Sequence, residues 1–171
     1  MRISPLPALL LCACASTRDV RSEDADPSTT SLELLKKLDG TWVVVDEHGS
    51  PTDQVSNVFR VTAGGSAVEE TVFPGTEHEM ITLYYVQDGR LQLTHYCMKG
   101  NQPHMLAEPT QDGKELEFRC DGSGVASESE GHMHHARIRL ADDGRLSTRW
   151  QFVEAGKETH LAEFELARKT K

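Results

Sequence analysis

Apolar and polar residues alternate along most of the chain, in short segments that are separated by turn residues. Alternation with a period of two is typical of strands that bury one face. Before these segments, residues 31–38 carry apolar side chains at helical spacing, and the pattern predicts a short helix that has Ser31 as its N-cap and ends at Asp39-Gly40. The predicted strands cover residues 42–47, 57–62, 67–73, 79–86, 91–97, 104–108, 115–120, 132–141, 146–153 and 158–167.

This order of elements predicts an all-β fold, an antiparallel up-and-down barrel of about ten strands with one short N-terminal helix. Closure into a barrel removes the exposed edges that an open sheet of many short strands would leave. Turn residues between the strands also set the hairpin registers. Two-residue loops are predicted at Asp88-Gly89 and Asp112-Gly113, and three-residue loops at 142–144 and 154–156. The resulting pairs include Tyr84 with Leu93, Thr82 with His95, Ala107 with Phe118, Met105 with Cys120, Leu140 with Leu146, Ala136 with Trp150, His134 with Phe152, and Trp150 with His160.

The predicted inward face is polar for a protein core. Unpaired buried polar groups cost about 1–3 kcal/mol each, so a filled interior would favour aliphatic residues. An interior that holds a small ligand accounts for this face better. The inward set is Met80, Tyr84, His95, Cys97, Met105, Phe118, Cys120, His132, His134, Trp150, Phe152 and His160. Asn101, in the Gly-Asn-Gln-Pro turn at 100–103, is expected either to cap that turn or to reach the barrel mouth.

Length and charge limit the function classes. A chain of 171 residues suits one domain. Lys and Arg number 18 against 27 Asp and Glu, a formal charge of -9, and no run of basic residues is long enough to neutralise a row of phosphates. Nucleic-acid binding therefore has little electrostatic support.

The N-terminus predicts export. One Arg is followed by a short apolar run and small residues, the layout of a secretory signal. Leu11-Cys12-Ala13-Cys14 resembles the lipobox of bacterial lipoproteins, which implies that residues 1–13 are a signal peptide and that Cys14 is lipidated. The residue after Cys14 is Ala15 and not the Asp that resembles an inner-membrane retention signal. This favours a location on the periplasmic side of the outer membrane. The alternative is a plain signal peptide that releases a periplasmic or secreted protein.

Composition divides the remainder into a polar tether at 14–31 and a barrel domain at 32–171. Within the domain, Cys97 and Cys120 lie on strands that a third strand separates in a simple meander. Alternate strands are about 9–10 Å apart, farther than the roughly 4.4–6.8 Å between the Cα atoms of a disulfide. We therefore expect two free thiols.

Several short motifs resemble known barrels. Gly40-Thr41-Trp42, after the helix, resembles the Gly-x-Trp signature of lipocalins and their calycin relatives, which implies that Arg168 stacks over Trp42. A second resemblance is to a group of uncharacterised exported bacterial proteins with a lipocalin-like barrel, and it extends over residues 35–169. The motifs that carry it are residues 79–80, 94–97, 100–103 and 131–134, together with Trp150. His160, in Thr159-His160-Leu161 on the last predicted strand, lies at a position that resembles that of the proximal His in nitrobindin-type haem-binding barrels.

These observations support three functional interpretations. The first is an exported, lipid-anchored barrel that binds a small apolar or amphipathic ligand. The second is a metal- or haem-dependent activity with His95, His132, His134 or His160 as ligands, since two His at i and i+2 share one strand face. The third is a structural envelope lipoprotein without a ligand. No Gly-x-Ser-x-Gly, P-loop or His-Glu-x-x-His pattern occurs, so catalysis is left open.

Overall fold

Ten antiparallel strands close into a barrel behind a short helix in the computed structural model, which describes residues 27–110, 113–127 and 129–170. Each strand pairs with the next, and β1 closes against β10, so the predicted barrel is confirmed. No helix in these residues has the length and apolar character needed to cross a membrane. The elements are α1 Pro27–Lys36, β1 Gly40–Val45, β2 Pro51–Thr62, a 3-10 turn Ala63–Gly65, β3 Ala67–Val72, β4 Met80–Gln87, β5 Arg90–Tyr96, β6 His104–Glu108, β7 Glu115–Cys120, β8 His132–Leu140, β9 Leu146–Glu154 and β10 Lys157–Arg168.

Helix α1 starts at Pro27, four residues before the predicted start and inside the predicted tether. The prediction that Ser31 caps the helix is therefore wrong. Proline suits the first helical position because its missing N–H has no partner there in any case and its φ already matches a helix. The predicted signal peptide, Cys14 and the rest of the tether up to residue 26 lie outside the described residues.

One end of the barrel is closed by α1 and the residues that follow it. Leu38 is fully buried, and the indole N–H of Trp42 donates a 2.8 Å hydrogen bond to its carbonyl oxygen. The guanidinium of Arg168 lies 4.6 Å from the centre of the Trp42 ring, which confirms the stacking that was expected from the lipocalin resemblance. Arg168 also donates to the carbonyl oxygens of Lys37, at 2.6 Å, and Asp39.

The first hairpin registers are confirmed. Tyr84 pairs with Leu93 and Thr82 with His95 around Asp88-Gly89. The expected pairs are also found in the β6–β7 hairpin and, in the β8–β9 hairpin, from Leu140–Leu146 as far as Ala136–Trp150. Asp112 itself lies outside the described residues. These hairpins hold because their turn residues accept the positive φ that a tight, right-twisted connection requires.

Two predicted pairs are wrong. A β-bulge in β8 leaves His134 without a partner residue, because Met133 pairs with Phe152 and His135 with Gln151. In the last hairpin, Ala155-Gly156 forms a two-residue loop with positive φ at both positions. A further irregularity after Glu158 then pairs His160 with Phe152 instead of Trp150. The difference in β8 comes from one extra residue in the strand. The difference in the last hairpin has two causes, because the predicted three-residue loop at 154–156 is wrong by one residue and β10 carries an extra residue after Glu158.

The connections alternate between the two ends of the barrel. Helix α1 lies at the end that holds the β2–β3 turn, since the amide N–H of Val61 donates a 3.0 Å hydrogen bond to Asp39 Oδ1. The other end is formed by the starts of the even-numbered strands and by the ends of the odd-numbered strands. We call this second end the mouth of the barrel.

Candidate functional site

An apolar pocket of about 330 Å³ lies at the mouth of the barrel. The loop after β5 contributes three side chains, the start of β10 contributes two, and β4, β8 and β9 contribute one each. Methionine, cysteine and phenylalanine make up the walls, and Lys99 and His160 are exposed at the rim. The pocket is lined by Met80, Cys97, Met98, Lys99, Met133, Phe152, Thr159 and His160.

The predicted ligand set divides between this pocket and the interior below it. Of the predicted residues, the structure brings Met80, Cys97 and His160 together at the pocket, with Phe152 beside them. The deeper predicted residues form part of the packed core and are almost fully buried: Tyr84, Met105, Phe118 and Trp150. Sequence reasoning missed Met98, Lys99 and Met133, because the first two lie in a loop and the third faces inward only as a result of the bulge.

His95 lies beneath the pocket, and its ring contacts the ring of Trp150 across the barrel interior. The two rings are 4.9 Å apart, and Cys97 and Phe152 each follow two residues later on the same face. His95 Nδ1 lies 3.0 Å from the hydroxyl oxygen of Thr82, and its buried Nε2 has no hydrogen-bond partner in the described residues. Burial lowers the pKa of His95 to about 4, so the ring is neutral at pH 7.

A buried acid lies next to this histidine in the sheet. Glu70 pairs with Thr82, which in turn pairs with His95. The hydroxyl of Tyr84 donates a 2.5 Å hydrogen bond to Glu70 Oε2, and the amide nitrogen of Asn57 donates one of 2.5 Å to Oε1. Burial raises the pKa of Glu70 to about 7, outweighing these two hydrogen bonds, which favour the ionised form. Burial and the charge of Glu70 also raise the pKa of Tyr84.

Sequence reasoning missed Glu70, although the chain carries a signal for it. Val68, Glu70 and Val72 are all buried and alternate with Glu69 and Thr71. Strict alternation therefore places Glu70 inward. A carboxyl group on an apolar face runs against the usual rule that charged residues are exposed, which is why such a position stands out as a candidate functional residue.

A second cleft of about 530 Å³ lies on the outer face of the barrel near the mouth. Arg119 and Gln151 line it, and they alternate along their strands with the inward Phe118 and Trp150. His132 and His134 also line it, together with Cys120, which pairs with the inward Met105 at the end of β7 and packs against both the core and the edge of the cleft. The bulge in β8 explains why His132 and His134 lie in this cleft, since it turns Met133 inward and leaves both histidines on the outer face of the strand.

The four candidate ligands His95, His132, His134 and His160 therefore do not converge on one site, a point that the sequence had left open. His95 is inside the barrel, and His160 is exposed at the mouth. His132 and His134 instead join Cys120, and one potential ligand atom from each lies within 4.8 Å of the other two. Burial raises the pKa of Cys120. Burial, with the charges of neighbouring His and Arg side chains, lowers the pKa of His134.

Asn101 does not line the mouth pocket. Its side-chain amide nitrogen donates hydrogen bonds to the carbonyl oxygen of Gly131, at 2.9 Å, and to Glu130 Oε1, at 3.2 Å. It thus joins the β5–β6 loop to the β7–β8 loop. Cys97 and Cys120 are free thiols, as the spacing of alternate strands predicted.

Known proteins give no direct guide to this site, since no family model matches the chain and no curated protein matches it either. The class that the fold defines is a closed ten-stranded antiparallel barrel. The resemblance to exported lipocalin-like proteins therefore stays a prediction, and the function must be argued from the geometry.

Proposed function

We propose that this protein is an exported, lipid-anchored barrel of the lipocalin-like group, and that it binds a small apolar or amphipathic ligand at its mouth. The observation that carries this proposal is the apolar pocket of about 330 Å³ between the starts of β4, β8 and β10 and the ends of β5 and β9. A pocket with apolar walls and a few polar groups is the usual form of a small-molecule site, and this one is at the small end of the common range.

The rim of the pocket favours a ligand with an acidic head. The ammonium of Lys99 lies 5.6 Å from the centre of the Phe152 ring, and His160 is exposed beside it. A carboxylate at the rim would meet a positive charge, while an alkyl chain would contact Met80, Met133 and Phe152. The site thus suits a short fatty acid or a similar amphipathic anion.

Exposed apolar side chains around the mouth support a lipid-like ligand. Among the described residues, the large hydrophobic side chains left exposed are Ile81, Tyr96, Met98 and Leu161. All four lie at the mouth, and Ile81 pairs directly with Tyr96. A ligand that arrives from a membrane surface would therefore reach the pocket across an apolar border.

Export and anchoring rest on the N-terminal sequence. In the proposal, residues 1–13 are removed and the lipid on Cys14 holds the protein on the periplasmic side of the outer membrane. Residues 15–26 then link the lipid to α1, which begins at Pro27. Twelve residues at full extension reach about 40 Å, enough to let the mouth approach the bilayer.

Laurate titration tests the proposed site. Isothermal calorimetry on the full, unlipidated chain with Cys12 and Cys14 replaced by Ser is expected to give one site. Reversing the rim charge with Lys99→Glu should weaken laurate binding about tenfold, in line with loss of about 1.4 kcal/mol, and leave dodecanol binding unchanged. Lys37→Glu is the matched control, because it makes the same charge change beside α1 at the closed end.

Two results would contradict the proposal. One is the absence of binding by laurate, dodecanol and dodecylamine alike, which would favour a structural envelope protein. The other is an equal loss of laurate affinity in Lys99→Glu and Lys37→Glu, which would mean that overall charge and not the mouth determines binding.

A further inference from the structure

We propose that Cys120, His132 and His134 form a metal site, and that Zn²⁺ is the ion that this ligand set suits best. A potential ligand atom from each residue lies within 4.8 Å of the other two. One thiolate and two imidazoles are the ligands that zinc and related borderline ions prefer. The site lies in the outer cleft and does not depend on the ligand proposed for the mouth.

The two histidines are already oriented for one ion. His132 Nδ1 lies 2.6 Å from the carbonyl oxygen of Glu130, and since a carbonyl oxygen only accepts, the proton of a neutral His132 ring is on Nδ1. The Nε2 atom of His132 therefore accepts a hydrogen bond from His134 Nδ1, 3.1 Å away. An ion that replaces this hydrogen bond takes both lone pairs, and the proton of His134 moves to its own Nε2. In a tetrahedral zinc site with bonds of about 2.0–2.1 Å, two nitrogen ligands are about 3.3 Å apart.

The surrounding structure holds His132 in this orientation. A metal-bound histidine usually donates its second ring N–H to a carbonyl or carboxylate, which fixes the tautomer and the ring. Here Glu130 supplies the carbonyl, and Asn101 donates hydrogen bonds to Glu130 Oε1 and to the next carbonyl, that of Gly131. Gly131 packs closely as well, since a Cβ there would lie 2.7 Å from the Phe152 ring.

The bulge in β8 brings the two histidines of the proposed metal site together. Without an extra residue, His134 would pair with Phe152 and face the interior; with it, His134 shares the outer cleft with His132. Bulges commonly redirect a side chain next to a functional site, at the expense of one ladder pair. Glu158, Asp121 and Arg119 also line the cleft, so two acidic groups and one basic group surround the proposed cation.

A second group of potential ligands offers a useful contrast. Glu108, Glu117 and His135 also come within 4.8 Å of one another. Their carboxylates already bind guanidinium groups, because Glu108 pairs with Arg119 at 3.0 Å and Glu117 pairs with Arg137. In the Cys120 group no arginine bonds to a potential ligand atom within the described residues, which is why the proposal rests on that group.

Cobalt binding tests the site, because Co²⁺ adopts zinc-like geometry and a Co–thiolate bond gives a charge-transfer band in the near ultraviolet. The protein is the full chain with Cys12 and Cys14 replaced by Ser and with no polyhistidine tag. We expect one Co²⁺ per chain, the thiolate band, and displacement by Zn²⁺. Cys120→Ser should abolish the band and lower the affinity by roughly 100-fold or more, since loss of even an outer-shell partner costs about 10–100-fold.

Three further variants make the result specific. His134→Ala, at a half-exposed position, should lower the affinity comparably and keep the far-ultraviolet circular dichroism of the barrel. Cys97→Ser, the other free thiol, and His78→Ala, in an exposed turn, should leave Co²⁺ binding unchanged. The proposal is overturned if the parent protein shows no thiolate band, or if the band persists in Cys120→Ser.

Discussion

The carboxyl group of Glu70 is fully buried between Tyr84 and Asn57, and replacing Glu70 by Gln tests how its ionisation acts on the fold. Glutamine resembles the protonated acid, because its amide oxygen can accept from Asn57 and its amide nitrogen can donate to the Tyr84 oxygen. We expect Glu70→Gln to match the wild type near pH 5 and to be more stable than the wild type at pH 8.

The magnitude follows from the pKa of Glu70, which is about 7 in the barrel against 4.5 for an ordinary glutamate. The folded state then holds the proton more tightly than the unfolded state. This stabilisation is complete below pH 4.5 and is lost as the pH rises through 7. Each pKa unit corresponds to about 1.4 kcal/mol, so the full difference is about 3 kcal/mol, most of it between pH 5 and pH 8.

A second buried group makes the comparison with a variant necessary. The pKa of His95 is lowered to about 4 from 6.5, so its contribution is lost as the pH falls from 6.5 towards 4. The two effects have opposite signs over overlapping ranges, and the stability of the wild type alone is expected to change little. The difference between the wild type and Glu70→Gln isolates Glu70.

Urea unfolding at a series of pH values from 5 to 8.5 measures this difference. Glu69→Gln is the matched control, since Glu69 is one residue away on the outer face, in a 3.0 Å ion pair with Arg60. That pair is partly exposed, so the control should change stability by no more than about 1 kcal/mol, without a step near pH 7. A difference between wild type and Glu70→Gln that does not vary with pH would refute the reasoning.

Three further predictions concern packing, strain and the thiols. Phe118→Ala should lower the free energy of unfolding by about 3–5 kcal/mol, because Phe118 is fully buried in the core, and a loss below about 1 kcal/mol in urea unfolding would contradict that placement. Gly40→Ala should cost about 1–3 kcal/mol, since Gly40 has φ +128° and an added Cβ would lie 2.7 Å from Arg168 Nη1; an unchanged melting temperature would refute this. Thiol titration in denaturant, on the variant without the two N-terminal cysteines, should detect both Cys97 and Cys120 without prior reduction, and fewer thiols would mean that they are bonded.

Much of the fold was predictable because local signals agree with the global structure. Alternating apolar residues identified the ten strands, and Asp88-Gly89 set a register that holds from Val86–Leu91 to Thr82–His95. The helix start was missed, since Pro27 follows a polar segment that carries no apolar period of its own.

The site was less predictable because it depends on irregularities. One inserted residue at His134 moves two histidines from the interior to the outer cleft, and alternation carries no trace of it. Cys120 was placed correctly next to Met105, yet its partners in the cleft come from β8 and not from the interior. Glu70 was open to prediction from its even spacing with Val68 and Val72.

The methionine methyl groups report directly on the proposed ligand site. Of the four described methionines, Met80, Met98 and Met133 line the mouth pocket, while Met105 is fully buried in the core. Laurate added to protein labelled with carbon-13 at the methionine methyl groups is predicted to shift the signals of the three pocket residues and to leave that of Met105 unchanged. Pocket signals that stay fixed while laurate is present in excess, or a shift confined to Met105, would contradict the account.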